Sequence, residues 1–125
     1  MIINSTKFKD LKVIKLKRFS DLRGDIIKIF DKKKKTLKFN FFESYVSISK
    51  KGSARGLHGQ LGNLSQSKIV CCIQGKFLDV AVDLRKNSNT YGQVFKKTIS
   101  SKNCLIVLIP KGFAHGVISL ESNTI

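Results

Sequence analysis

Short apolar runs, each broken off after six to eight residues, constrain this chain more than any other feature. Residues 11–16 read LKVIKL, 25–30 DIIKIF, 41–48 FFESYVSI, 68–73 KIVCCI, 77–84 FLDVAVDL and 104–109 CLIVLI. They are rich in Val, Ile and Phe and bounded by Gly, Asn, Ser or Lys, so they read as strands. No window of a dozen residues carries helical periodicity. Gln74-Gly75-Lys76 reads as a tight hairpin joining two of the strands. Residues 87–92, NSNTYG, read as a turn-rich loop, and Lys32 to Lys35 as a solvated loop. Pro110, the only proline, ends a strand and opens the loop PKGFAHG. Short strands at regular spacing predict an all-β sandwich or barrel, and a jelly roll accommodates this number. Such a barrel buries alternate side chains and leaves a mouth where polar groups can converge on a ligand.

The 125 residues have room for one domain, spanning 1–125. No apolar run approaches the ~18 residues of a membrane span. The first ten residues lack the apolar core of a secretory signal, so the expected compartment is the cytoplasm. Lys and Arg total 24 against 8 acids, for a net charge of +16. That excess admits three readings: nucleic acid, an anionic substrate, or a solubilising lysine surface. Only Arg18, Arg23, Arg55 and Arg85 are arginines, and the lysines are scattered, as surface lysines are. Cys71, Cys72 and Cys104 are too few for a disulfide framework, and no CxxC pair offers a zinc site. Cys71 and Cys72 are adjacent in an apolar run, so one is expected inside and the other outside, both reduced.

Three segments exceed ordinary strand punctuation. SARGLHGQ (53–60) places Arg55 and His58 three apart, on opposite faces of a strand unless Gly56 or Gly59 allows a bend. GKFLDVAVDLR (75–85) places Asp79 and Asp83 four apart, on one face, with Ala81 between them. IPKGFAHG (109–116) sets His115 just past a glycine-flanked loop. A lone His or Asp is commonly a satisfied packing or turn residue. Here the only two histidines both sit in glycine-bracketed motifs beside a cation. Metal binding would need a cluster such as His-x-His with a carboxylate, and the sequence has none.

Taken together, RGLHGQ, KIVCCIQGKFLDVAVDLRKNSNTYG and IPKGFAHGV resemble the dTDP-4-dehydrorhamnose 3,5-epimerase family. FSDLRGD (19–25) is similar to that family's F-x-D-x-R-G segment, and SKKGSARGLH (49–58) also fits. The likeness runs from about Phe19 to Leu120. It implies a cupin-like jelly-roll β-barrel with an N-terminal strand extension, without metal or cofactor, acting as a homodimer that exchanges N-terminal strands. It implies a nucleotide-diphospho-4-keto-6-deoxyhexose as substrate, in deoxysugar or surface-polysaccharide synthesis. The C4 ketone acidifies the protons on C3 and C5, so the chemistry needs a neutral base, a cation near the developing oxyanion and a second proton source. By resemblance His58 is the proton acceptor and Lys68 the cation beside the sugar. Arg55 contacts the diphosphate side, His115 contacts the substrate, and Arg23 reaches the nucleotide from the neighbouring subunit. Arg suits phosphate because its planar fork donates in pairs. The alternating LKVIKL segment is the candidate for strand addition.

The sequence also departs from the family pattern. Lys28 stands where the family has Glu, and Gly59 where an aromatic commonly follows the catalytic His. Glu43-Ser44-Tyr45-Val46-Ser47 replaces a Q-x-N-x-S segment, which changes the polar contacts expected from Glu43 and Ser47. The family's general-acid Tyr and the Asp paired with its catalytic His fall beyond the position of Ile125. Three readings therefore stand: an epimerase acting on such a sugar, a catalytically weak or inactive nucleotide-sugar-binding cupin module, and a nucleic-acid-binding barrel suggested by the charge and nine Phe. The last fits least, because Phe77, Phe95 and Phe113 fall at positions the resemblance already explains.

Overall fold

A computed structural model describes residues 2–30, 42–60 and 62–125. Its strands are β1 (Ile2–Ser5), β2 (Lys12–Lys15), β3 (Arg18–Asp21), β4 (Gly24–Ile27), β5 (Ala54–His58), β6 (Lys68–Cys71), β7 (Lys76–Asp83), β8 (Val94–Ser100), β9 (Leu105–Ile109) and β10 (Phe113–Ser119). A single 3-10 turn, Gly62–Leu64, is the only helical element among the described residues. One antiparallel sheet runs β1-β2-β9-β6 and a second runs β5-β10-β7-β8, while β3 and β4 form a separate ribbon.

Side-chain alternation explains how these strands stack. Along β7 the odd positions Phe77, Asp79, Ala81 and Asp83 are buried and the even ones only half so. The inner faces of both sheets share one core, in which Leu11, Val13, Val107 and Ile109 meet Phe77, Ala81, Phe95, Ile99 and Phe113. Phe8 closes it, with its ring edge-on to Phe95 and Phe113 at 6.1 Å from each. The even positions of the first sheet are covered too: Ile14, Leu16, Cys104 and Ile106 pack with Ile27 of β4. A sheet buried on both faces needs no polar alternation, which is why KIVCCI and CLIVLI are continuously apolar. Ile14, Ile99 and Ile106 have no exposed surface. Full burial of such a side chain contributes about 1.5–3 kcal/mol.

Several sequence expectations are corrected. Residues 42–48 form no strand: Phe42, Tyr45, Val46 and Ile48 are exposed at both even and odd positions, so neither face has a core to meet. Ser49, bridged to Thr124, gives the first pairing there. Gln74-Gly75-Lys76 is not a hairpin, because β6 and β7 belong to different sheets. Gly75, at φ +79°, turns the chain between sheets, and backbone bonds from Ile73 to Ile125 (2.8 Å) and from Ile125 to Gln74 (2.9 Å) close the corner. Cys71 and Cys72 do not divide into inside and outside. Both are half-buried thiols, each packed against a different core. LKVIKL is not available for strand addition, since β2 is paired on both sides and β1 is the free edge. Lys32 to Lys35 lie outside the described residues.

Asp83 ties down the 83–92 loop. It is fully buried and accepts from Arg85 Nε (2.9 Å) and Nη2 (2.8 Å), Ser88 Oγ (2.7 Å) and Thr90 Oγ1 (2.6 Å). The Arg85 guanidinium, aided by the two hydroxyls, holds its carboxyl well below the usual carboxylate range. Asp83 therefore serves the loop rather than a reaction.

Candidate active site

The other inward carboxylate, Asp79, lies two positions along β7 from Ala81, the cross-strand partner of His115. That diagonal is within reach of a long side chain. His115 Nε2 and Asp79 Oδ1 are 2.5 Å apart, and both residues are buried. A carboxylate cannot leave water without compensation, and the imidazole N–H supplies it. Asp79 Oδ2 has no hydrogen-bond partner among the described residues.

His115 pairs in turn with His58 on β5, and Val117 pairs with Arg55. Two residues, Gly56 and Leu57, separate the β5 positions, while Gly116 alone separates those on β10. This bulge answers the spacing question posed by Arg55 and His58: the extra residue brings both to the side of their partners. Gly56 makes it possible, at φ +99° and with its Cα so close to β10 that a Cβ would lie 2.5 Å from the His115 carbonyl oxygen. Gly116 is equally confined, since a Cβ there would lie 2.8 Å from the Arg55 carbonyl oxygen.

Lys68 comes from the opposite sheet. It pairs with core residue Ile109 and lies two positions from Val70, which packs on the inner core, so it shares their face. β5 and β6 are both edge strands, and the site spans the gap between the two edges. Lys68, first, then partial desolvation and His115 push the His58 imidazole below its ordinary value and so favour its neutral form. Arg55, three residues from His58 in sequence, is not among the groups that lower it. Its guanidinium turns away to Ser49 Oγ (3.1 Å) and the Ile48 carbonyl (3.3 Å).

His58, Lys68 and His115 thus come together, with Arg55 at the rim. Arg23, Glu43 and Ser47 are not hydrogen-bonded to this group. Arg23 sits at the β3–β4 turn, paired with Asp21 at 2.7 Å, and the other two lie in the strandless stretch. Asp79 was missed as a site residue, although its signal was legible. An inward Asp in a run as apolar as FLDVAVDL needs a buried partner, and the chain has only two histidines. A cavity of about 190 Å³ lies elsewhere, against Leu57, Val80 and Ile118. Its lining is apolar apart from Arg55, so the chemistry belongs to the inner face.

Two facing antiparallel sheets with polar groups gathered on the inner wall of one define a cupin-like jelly roll. The family model described as dTDP-4-dehydrorhamnose 3,5-epimerase matches residues 5–125. The chain belongs to this family. It is 38% identical over 125 residues to the dTDP-4-dehydrorhamnose 3,5-epimerase of Salmonella typhimurium, covering 97% of this chain and 68% of that protein. The crystal structure of the enzyme of that name from Elizabethkingia anophelis superposes with a TM-score of 0.90 at 38% identity, over 99% of this chain and 70% of that one. A dTDP-6-deoxy-D-glucose-3,5-epimerase from Legionella pneumophila, solved with dTDP-4-keto-L-rhamnose, superposes at 0.91 with 36% identity, over 98% and 67%. The chain spans about two thirds of the length of the curated relatives it matches.

Proposed function

We propose that this chain acts on a nucleotide-diphospho-4-keto-6-deoxyhexose as an epimerase next to the C4 ketone. The observation that carries the reading is a histidine favoured in its neutral form by a facing lysine, set against a second histidine on one inner wall. His58 takes the proton from C3 or C5, and the electron pair of that C–H bond passes to the C4 oxygen as an enolate. Lys68 offsets the developing charge, which is the role of a preplaced cation in a partly desolvated site. Return of a proton to the opposite face, from a second donor or from water, inverts the centre. Arg55 and His115 hold the substrate. Arg23 reaches the nucleotide from the neighbouring subunit of a homodimer, and Glu43 and Ser47 are further substrate contacts. The Legionella relative, with a keto sugar nucleotide bound, supports the substrate class.

The test is incubation of the chain in D2O with a dTDP-4-keto-6-deoxyhexose, followed by NMR at C3 and C5. Deuterium at either carbon supports the reading. Binding without deuterium leaves a nucleotide-sugar-binding module, and absence of both overturns the reading.

A further inference from the structure

Asp79 is the one carboxylate on the inner wall that touches a site histidine, and the reaction written above gives it no role. Its only hydrogen-bond partner among the described residues is His115 Nε2, at 2.5 Å, while Oδ2 has none. A fully buried carboxylate with a single donor makes that donor obligatory. An Nε2 lone pair facing Oδ1 would set two acceptors together and strand the charge. With Asp79 ionised, the proton on His115 sits at Nε2. Nδ1 makes no hydrogen bond and is not fully buried, so it is the ring nitrogen left for the site.

We propose that Asp79 is a positioning residue: it fixes His115 in the Nε2–H tautomer, so that Nδ1 is presented as an acceptor for a hydroxyl of the sugar ring. This rests on the epimerase reading for the identity of the ligand, but the tautomer itself does not. An acceptor held in place by a buried charge discriminates well, because a sugar lacking the matching hydroxyl leaves a nitrogen desolvated and unpaired. A carboxamide in place of Asp79 could turn its NH2 toward Nε2 and move the proton to Nδ1, converting the acceptor into a donor without displacing the ring. Loss of a histidine's correct tautomer on Asp-to-Asn replacement is known from serine proteases.

The experiment is 15N NMR of the histidine rings in the full chain, without and with a dTDP-4-keto-6-deoxyhexose. In the ligand-free protein above neutral pH, His115 is expected to show a protonated Nε2 and a bare Nδ1. A protonated Nδ1 there overturns the proposal, whatever the chain binds. On addition of the sugar nucleotide the Nδ1 resonance should move toward that of a hydrogen-bonded acceptor, and an unmoved Nδ1 in a chain that binds overturns the recognition role. Asp79→Asn should shift the proton to Nδ1 and weaken binding about tenfold, the worth of one hydrogen bond. Asp79→Glu should restore both in part, whereas a merely structural Asp79 would leave the tautomer unchanged in either variant. If Asp79→Asn does not fold, the wild-type resonances decide. A chain that shows the Nε2–H tautomer but binds no sugar nucleotide overturns the epimerase reading and the recognition role, and leaves the tautomer assignment standing.

Discussion

At the residue scale, the two histidines have opposite surroundings. His115 is buried against a carboxylate, whereas His58 is exposed and faces a lysine. Because Lys68 heads the causes that lower the His58 titration, Lys68→Gln should raise its midpoint toward the ordinary histidine value near 6.5. NMR titration of the ring protons reads this directly, and an unchanged midpoint contradicts the assigned electrostatics. Asp83 gives a second prediction. Its folded-state titration lies below the unfolded one, so its contribution is present above about pH 4 and fades as pH falls through the folded value. Asp83→Asn should therefore destabilise the protein by about 3–5 kcal/mol near neutrality, the cost of breaking a buried pair, and by less in acid. Urea melts at two pH values measure the difference. Of these residues, His58, Lys68 and His115 were legible because their motifs are specific. For Asp79 the sequence signalled only the need for a buried partner, since its contact with His115 joins β7 to β10 across positions far apart in sequence; Asp83 instead binds the loop that follows it.

At the element scale, legibility followed burial. CLIVLI, covered on both faces, became β9 almost residue for residue, and the half-buried KIVCCI supplied β6 over its first four residues. β8, reading VFKKTIS, escaped notice because only Phe95 and Ile99 are buried and two lysines sit between them. β5 is exposed along its whole length and owes its place to backbone pairing with β10 rather than to a hydrophobic pattern. Residues 42–48 erred the other way, apolar enough to suggest a strand but without a partner. The β5 bulge depends on Gly56, which gives a third prediction. Gly56→Ala would force a Cβ against the His115 carbonyl at a φ that Ala rarely adopts. It should cost on the order of 1–3 kcal/mol and loosen the pairing of His58 with His115. Hydrogen exchange at the β5 amides would show the loosening, and unchanged protection with full stability would contradict the assigned geometry.

At the scale of the whole molecule, the charge of +16 does not gather on a single described element, and the inner wall carries few cations. Binding of a sugar nucleotide should therefore lose far less affinity with added salt than binding to a polyanion, whose dependence reports many released counterions. Phe42, Tyr45, Val46 and Ile48 form an exposed apolar stretch that no strand among the described residues covers, which fits association with a second copy. Sedimentation at micromolar concentration should give a dimer, and a monomer would remove the route by which Arg23 serves a neighbour's site. The all-β class could be read from strand spacing and the jelly roll from the family resemblance, whereas sheet order could not, because strands adjacent in sequence such as β6 and β7 lie in different sheets. The central claim is that His58 removes a proton beside the ketone. It is tested most directly by comparing deuterium incorporation at C3 and C5 of a dTDP-4-keto-6-deoxyhexose by the wild-type chain and by His58→Asn. Incorporation by the wild type that persists below pH 6.5 and disappears in His58→Asn, with binding within a few-fold, is the predicted result. Equal incorporation by both proteins would contradict the account.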